Sequence, residues 1–204
     1  MNVVLASGNA GKLAELGALL APLGVELTSQ QALGISEANE TATSFIENAL
    51  IKARHAAAAS GKPAIADDSG IVVRALGGAP GVRSARYAGS PSDAVANNRK
   101  LVAALEGIDD RRAYFYCALV FMRAHDDPAP LIATARWHGR IVDAARGSGG
   151  FGYDPHFQVD GLNLTAAQLT APLKNQISHR GKAAAALVGS IRRALDEIRD
   201  SART

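Results

Sequence analysis

The chain has 204 residues, of which 48% are hydrophobic and 20% are charged, and its formal net charge at pH 7 is +3. This composition is typical of a globular protein and excludes a disordered chain or a coiled coil. The one cysteine, Cys117, excludes an internal disulfide framework and a zinc site of clustered cysteines. The small excess of positive charge, spread along the chain, gives no indication of a polynucleotide partner, and we expect none; it is compatible with a small anionic ligand.

The first half of the chain alternates strand and helix patterns. Residues 3–6 predict a strand, and leucines at helical spacing from Leu13 onward predict the helix that follows. Ser44 and Glu47 match a capping box, which predicts a helix that begins there and runs to about residue 59. The apolar residues 64–66 predict a buried strand that leads into two aspartates.

The second half adds a helix at residues 92–106, strands at 114–122 and 131–137, and a final helix that begins near Ser178. We expect an α/β fold around a mixed sheet, as one domain over residues 1–204. No apolar run approaches the ~18 residues of a membrane span. The N-terminal sequence lacks the pattern of a secretory signal, so we expect a cytoplasmic protein without a membrane partner.

A glycine-containing segment joins the first strand to the first helix. Its glycines let backbone N–H groups approach an anion, the helix N-terminus is a positive dipole end, and its lysine adds a charge. The spacing matches neither a Walker A loop nor a dinucleotide-binding fingerprint, and an ordinary strand–helix turn is the alternative. The segment consists of Ser7, Gly8, Asn9, Ala10, Gly11 and Lys12.

Asp67 and Asp68 follow a buried strand, where two adjacent carboxylates are costly without counter-charge. On an extended backbone they point to opposite sides, so only one can face a ligand. A hard divalent cation would satisfy that carboxylate, and a polar turn is the alternative. Glu40 has no evident structural role and is the candidate second carboxylate, with a solvated loop glutamate as the alternative.

Two further segments combine glycine, aromatic and basic residues. In residues 149–155, Phe151 or Tyr153 is suited to stack on a flat ring, unless both aromatics pack in the core. His179 and Arg180 lie at a helix start, where the dipole disfavours cations, and Lys174 precedes them. Such placement against a local preference indicates function. The alternative is that Ser178 caps the helix and both bases are solvated.

Six motifs occur in one order along nearly the whole chain: SGNAGK at 7–12, FIENA at 45–49 with Lys52, ADDSG at 66–70, GGAPG at 77–81 with SARY at 84–87, GFGYDP at 150–155 and SHRG at 178–181. Together they resemble the inosine/xanthosine triphosphate pyrophosphatase family, the Ham1-like enzymes. The resemblance implies an elongated mixed β-sheet with helices forming two lobes around a nucleotide cleft. It also implies a homodimer that uses Mg²⁺ and hydrolyses ITP, dITP and XTP to the monophosphate and pyrophosphate by attack at the α-phosphorus.

The resemblance also implies a role for each matching residue. Asp68 would be the general base and a metal ligand, with Glu40 as the other metal ligand and Asp67 in support. Residues 7–12 and Lys52 would bind the triphosphate, and Ser69 would touch the substrate. The sugar and base would contact Phe151, Gly152, Tyr153, Asp154, Lys174, His179 and Arg180.

Two other functions remain open at this point. A pyrophosphatase for modified pyrimidine or ordinary deoxynucleotides, as in the distantly similar Maf-type proteins, is not expected to carry the motifs around Phe151 and His179. A nucleotide sensor or RNA-binding module without turnover is the alternative from another class. For that module the adjacent aspartates are unexplained, because carboxylates beside phosphates give a pure anion binder no advantage unless a metal intervenes.

Overall fold

The computed structural model describes residues 1–8 and 10–201. Six strands within this part of the chain are β1 (Asn2–Leu5), β2 (Glu26–Ser29), β3 (Ala64–Val73), β4 (Arg112–Met122), β5 (Leu131–Ile141) and β6 (Phe157–Val159). They form one sheet in the order β2-β1-β3-β4-β5-β6. β1 is parallel to β2 and β3, and β6 is antiparallel to β5, so the sheet is mixed. The predicted α/β fold around a mixed sheet is confirmed.

The helices are α1 (Ala10–Leu20), α2 (Phe45–Ser60), α3 (Ala94–Ala104), α4 (Ala171–Ile177) and α5 (His179–Ser201). Ser44 caps α2 as predicted, because its hydroxyl accepts the Glu47 N–H at 3.3 Å. The Glu47 carboxylate accepts from the Ser44 hydroxyl at 2.6 Å and not from the Ser44 backbone N–H, so the second bond of a capping box is replaced. None of the described helices is long and apolar enough to span a membrane.

The predicted final helix is confirmed as α5, and a separate short helix before it, α4, was not predicted. Ser178 separates them: its backbone N–H closes α4 on Lys174, and its hydroxyl accepts the Gly181 N–H of α5 at 3.2 Å. The expectation that Ser178 caps the last helix is therefore confirmed. The three-residue β6 was also missed, since so short a run carries no readable period.

The chain divides into two compact units. The first contains Met1–Asp68, Ala118–Thr134 and the segment from Ala183, and the second contains Ser69–Cys117 and Ala135–Lys182. The divisions fall inside β3, β4, β5 and α5. One two-lobed domain over residues 1–204 stays a prediction.

Each unit has its own apolar core. In the first unit, buried side chains come from β1, from the stripe of α1 and from the alanine face of α2: Val3, Val4, Leu5, Leu16, Leu20, Ala49, Ala53 and Ala56. In the second unit the core is aromatic at its centre, where the Phe115 ring packs edge-on against Phe157 with centroids 4.7 Å apart. Cys117 and Trp137 are also buried.

Candidate active site

The β1–α1 connection runs beside the part of β3 that precedes the two aspartates. Leu5 is paired with Ile65 in the parallel ladder, and the Ala6 N–H donates to the Ile65 carbonyl at 2.8 Å. Ala10, Gly11 and Lys12 then form the first turn of α1, which contains no acidic residue. The register therefore brings the start of this helix toward Asp67. Of the predicted phosphate loop, Asn9 lies outside the described residues.

Asp67 and Asp68 lie within β3 and not in a turn, so the polar-turn alternative is wrong. Their side chains have different partners, as alternation along a strand requires. Lys12 Nζ lies 2.5 Å from Asp67 Oδ1, and Lys52 Nζ lies 2.9 Å from Asp68 Oδ1. Each carboxylate, both of them buried, therefore has its own ammonium.

Glu40 joins the second of these pairs. Its Oε1 lies 3.1 Å from Lys52 Nζ, so one ammonium is shared by the Glu40 and Asp68 carboxylates. Lys52 is therefore not an exposed helical lysine, and Glu40 is not merely a solvated loop glutamate. Glu40, Lys52 and Asp68 therefore lie together, and the metal-binding and phosphate-binding roles that the resemblance implies for them stay predictions.

Burial and charge shift the pKa values of this group. Burial raises the pKa of the Asp68 carboxyl above its usual value, the Lys52 ammonium opposes this rise, and the Glu40 and Asp67 charges reinforce it. For Lys52, burial alone would lower the pKa, but the charge and hydrogen bond of Asp68 and the charges of Asp67 and Glu40 outweigh it, and the pKa rises. Lys52 is thus a stable cation beside a carboxylate of increased basicity.

The Lys52 ammonium thus occupies a position where one oxygen of Glu40 and one oxygen of Asp68 meet a single cation. No group of three or more His, Cys, Asp or Glu side chains among the described residues could hold a metal by itself. Two oxygens are nevertheless sufficient for Mg²⁺, which binds to one or two carboxylates and fills its remaining positions with phosphate oxygens and water. The donors therefore suit a hard divalent cation that a phosphate ligand helps to hold.

The second unit contains another charged group, around Asp154. This carboxylate is only 3% exposed; it pairs with Lys174 and accepts the Phe151 backbone N–H at 2.8 Å. Lys174 Nζ also lies 4.7 Å from the centre of the Phe151 ring, and the Arg180 guanidinium lies 5.4 Å from it. Phe151 itself is 62% exposed. An exposed aromatic face thus lies among two cations and one buried anion.

Tyr153 and His179 have different surroundings. The Tyr153 ring is buried in the core, and its hydroxyl donates to the Ser84 carbonyl at 2.7 Å. The His179 ring is 6% exposed and stacks on Phe115, with centroids 4.9 Å apart and planes 9° apart. Of the two aromatics considered for stacking, only Phe151 presents its ring. The alternative of a solvated His179 is wrong.

Comparison with known proteins relates these features to a family. A family model described as the Ham1 family matches residues 3–190. The chain belongs to the Ham1 family. A protein of Nitrosomonas europaea named dITP/XTP pyrophosphatase is 59% identical over 186 residues, covering 91% of this chain and 92% of its own. A protein of the same name from Ralstonia nicotianae is 56% identical and covers 93% of this chain and 96% of its own.

The fold of this chain is also similar to that of solved structures of the Ham1 family. A HAM1 protein from Coxiella burnetii superposes with a TM-score of 0.91 and 45% identity, over 95% of this chain and 99% of that one. The family resemblance predicted from the six motifs is confirmed by this match and by the family model.

Sequence reasoning about this Ham1 family member missed three features that shape the two groups. Helix α4, which presents Lys174, has a proline in its first turn, a usual helix-start signal. Asn48, one turn before Lys52 on α2, is a buried amide in an alanine-rich face, a detectable anomaly. The stacking of Phe115 on His179 joins residues distant in sequence and leaves no local signal.

Proposed function

We propose that this chain hydrolyses non-canonical purine nucleoside triphosphates, with ITP, dITP and XTP as substrates, to the monophosphate and pyrophosphate. The observation that carries the proposal is the 59% identity, over about nine-tenths of both chains, to a protein named dITP/XTP pyrophosphatase. The charged groups of both units support it, because they supply a base, phosphate-binding cations and an exposed aromatic ring.

In the proposed reaction the Asp68 carboxylate accepts a proton from a water molecule whose oxygen attacks the α-phosphorus. The bond from that phosphorus to the oxygen bridging to the β-phosphorus breaks, and pyrophosphate leaves with the bonding electrons. A raised pKa suits Asp68 to this step, since a general base works best with a pKa nearer the operating pH. Ser7, Lys12, Lys52 and the N–H groups at the start of α1 would bind the phosphates.

We expect Mg²⁺ to be required, and Glu40 and Asp68 would hold it, as their shared cation position supports. Bound there, it would neutralise phosphate charge and lower the pKa of a water molecule. Lys52 would then turn from the carboxylates toward a phosphate, because two cations cannot share the position. Phosphoryl transfer relies on such positioning and charge neutralisation more than on covalent catalysis.

The group around Asp154 is proposed to select the base. A deaminated purine carries an oxo group at position six, which accepts hydrogen bonds, whereas adenine carries an amino group, which donates them. Lys174, His179 and Arg180 supply donors, and a site that donates leaves buried groups unpaired against adenine, which strongly disfavours it. Phe151 would stack on the ring, with Gly152, Tyr153 and Ser69 as further substrate contacts.

Two further expectations, on oligomeric state and cellular location, follow from the family resemblance. We propose a homodimer, which light scattering would test by giving the mass of two chains, and a cytoplasmic location.

The proposal is tested by steady-state hydrolysis of ITP, dITP, XTP, dTTP, GTP and ATP, each with Mg²⁺ and with EDTA, and products separated by chromatography. The expected products are monophosphate and pyrophosphate. ITP, dITP and XTP should be hydrolysed with a much higher kcat/KM than dTTP, GTP and ATP, and no nucleotide should be hydrolysed in EDTA. Orthophosphate as the direct product would move the attack to the γ-phosphorus and contradict the mechanism. A preference for dTTP would favour a Maf-type specificity, and no turnover of any nucleotide would favour a binding module.

A further inference from the structure

Asn48 is a buried polar residue in the first unit that the proposed mechanism does not use. It lies on α2, is 2% exposed, and precedes Lys52 by four residues. Residues four apart lie on the same face of a helix. Asn48 and Lys52 therefore approach the Glu40 and Asp68 carboxylates, here called the acidic group, from the same side.

The hydrogen bonds of Asn48 fix the orientation of its amide. Asn48 Oδ1 accepts the Ala42 backbone N–H at 3.0 Å, and Nδ2 donates to the Ala42 carbonyl at 3.4 Å. Because only the oxygen can accept a hydrogen bond, the amide cannot be reversed. Its second N–H then donates to Asp68 Oδ2, also at 3.4 Å.

These contacts link the two carboxylates of the acidic group. Helix α2 donates to both oxygens of Asp68, through Lys52 to Oδ1 and through Asn48 to Oδ2. It also holds the segment that carries Glu40, through Lys52 to the Glu40 side chain and through Asn48 to the Ala42 backbone. That segment, residues 35–42, has no helix or strand of its own, so its position depends on such contacts.

We infer that Asn48 is a positioning residue that fixes the Asp68 carboxylate and the Glu40 segment relative to each other. The inference rests on the proposed function for its consequence, which concerns cation binding. A divalent cation placed at the two carboxylates repels the Lys52 ammonium, whereas the neutral Asn48 amide can keep its contact with Asp68. Asn48 is then a side chain of α2 that keeps contact with both the Asp68 carboxylate and the backbone of the Glu40 segment.

The test uses Asn48→Ala with Asn97→Ala as the matched control. Asn97 is also a buried helical asparagine that holds a loop, accepting the Ala88 N–H at 2.6 Å and donating to the Ala85 carbonyl at 2.9 Å. Both of these partners of Asn97 are backbone groups, so both variants lose backbone hydrogen bonds. Only Asn48→Ala loses a donor to a carboxylate.

The first readout is Mn²⁺ binding without nucleotide, followed by the electron paramagnetic resonance signal of free Mn²⁺. Loss of a residue that orients a ligand typically weakens metal binding about 10–100-fold, and we expect a weakening in that range for Asn48→Ala. We expect none for Asn97→Ala. The second readout is ITP hydrolysis, where kcat should fall for Asn48→Ala with KM within about twofold, because the base moves while phosphate contacts remain.

Unchanged Mn²⁺ affinity in a folded Asn48→Ala variant would overturn the inference, and so would an equal loss in both variants. If the wild-type protein hydrolyses no nucleotide, the proposed function fails, and the Mn²⁺ comparison still decides the role of Asn48.

A second variant covers the case in which Asn48→Ala does not fold. Asn48→Asp keeps the size and the acceptor for the Ala42 N–H, but places an oxygen in front of Asp68 Oδ2 where a donor was. The expected result is a lowered kcat. A wild-type kcat for Asn48→Asp would show that the contact with Asp68 has no role and would overturn the inference.

Discussion

At the scale of single residues, the Asp68 carboxylate receives an ammonium on one oxygen and an amide on the other, while burial raises its pKa. An amide at this position cannot accept a proton from water. We therefore expect Asp68→Asn to lower kcat for ITP by the about 10²–10⁴-fold that a general base contributes. Steady-state kinetics would measure this fall in kcat, and a thermal melt would show that the Asp68→Asn variant is folded.

Asp127→Asn is the matched control for that loss. Asp127 is a buried carboxylate of the same unit, and Arg123 holds its pKa well below the usual range. Its conversion to an amide should lower the melting temperature and leave kcat unchanged. If Asp68→Asn kept a near-normal kcat, the base would be assigned to the wrong residue.

Phe151 gives a second prediction at this scale. Its ring is exposed and flanked by Lys174 and Arg180, so it contributes little to the core. Stacking of a base on an aromatic ring is worth about 1–3 kcal/mol, and we expect Phe151→Leu to raise KM for ITP by about 5- to 150-fold with little change in stability. Val95→Ala, at another exposed apolar side chain, should leave KM unchanged; equal KM values for wild type and Phe151→Leu would refute the stacking.

At the scale of elements, α4 and α5 meet at Gly181. A Cβ added there would lie 1.6 Å from the Asn175 carbonyl oxygen of α4, so Gly181→Ala must force the helices apart. These helices carry Lys174, His179 and Arg180. We expect a loss of stability of about 1–3 kcal/mol, as for overpacking, and a lower kcat/KM for ITP.

Gly189→Ala is the control on the same helix, where the nearest atom to an added Cβ is the flexible end of Arg193 at 3.7 Å. Alanine is the better helix former, so this variant should be more stable by about 0.5–1 kcal/mol. Denaturant unfolding measures the free energy of unfolding of both variants, which should fall for Gly181→Ala and rise for Gly189→Ala. A Gly181→Ala protein as stable and active as wild type would show that the helices adjust without effect.

Elements with strong local signals were predictable from sequence. The Ser44 cap of α2 and the apolar runs of β3, β4 and β5 each carry their own pattern, and all are present. Helix α4 and strand β6 were missed because seven and three residues are too short for a clear period. The charged partners of Asp67 and Asp68 depend on the register of β1 and β3 and on the side chains of α1 and α2, which no local pattern specifies.

At the scale of the whole molecule, the net charge of +3 is small, and three basic side chains of the candidate site are engaged by buried carboxylates. Lys12 pairs with Asp67, Lys52 with Asp68, and Lys174 with Asp154. A polyanion binds more tightly when lysines neutralise its phosphates and release the small counterions that those phosphates held. A lysine that is already paired with a fixed carboxylate contributes less to this binding free energy. The charge pattern therefore favours a small ligand that arrives with a divalent cation.

This pattern predicts that the protein does not bind single-stranded RNA in the presence of EDTA. Fluorescence anisotropy of a labelled oligouridylate should give a Kd weaker than the about 10⁻⁴–10⁻⁶ M of ordinary non-specific binders at physiological salt. The positive control is Mg²⁺-dependent ITP hydrolysis by the same wild-type preparation, which shows that its nucleotide site is intact. Tight RNA binding in EDTA that weakens steeply between about 50 mM and about 200 mM salt would instead be the signature of a polynucleotide-binding module. In that case the carboxylates of β3 would be structural counter-charges and not the ligands of a catalytic cation.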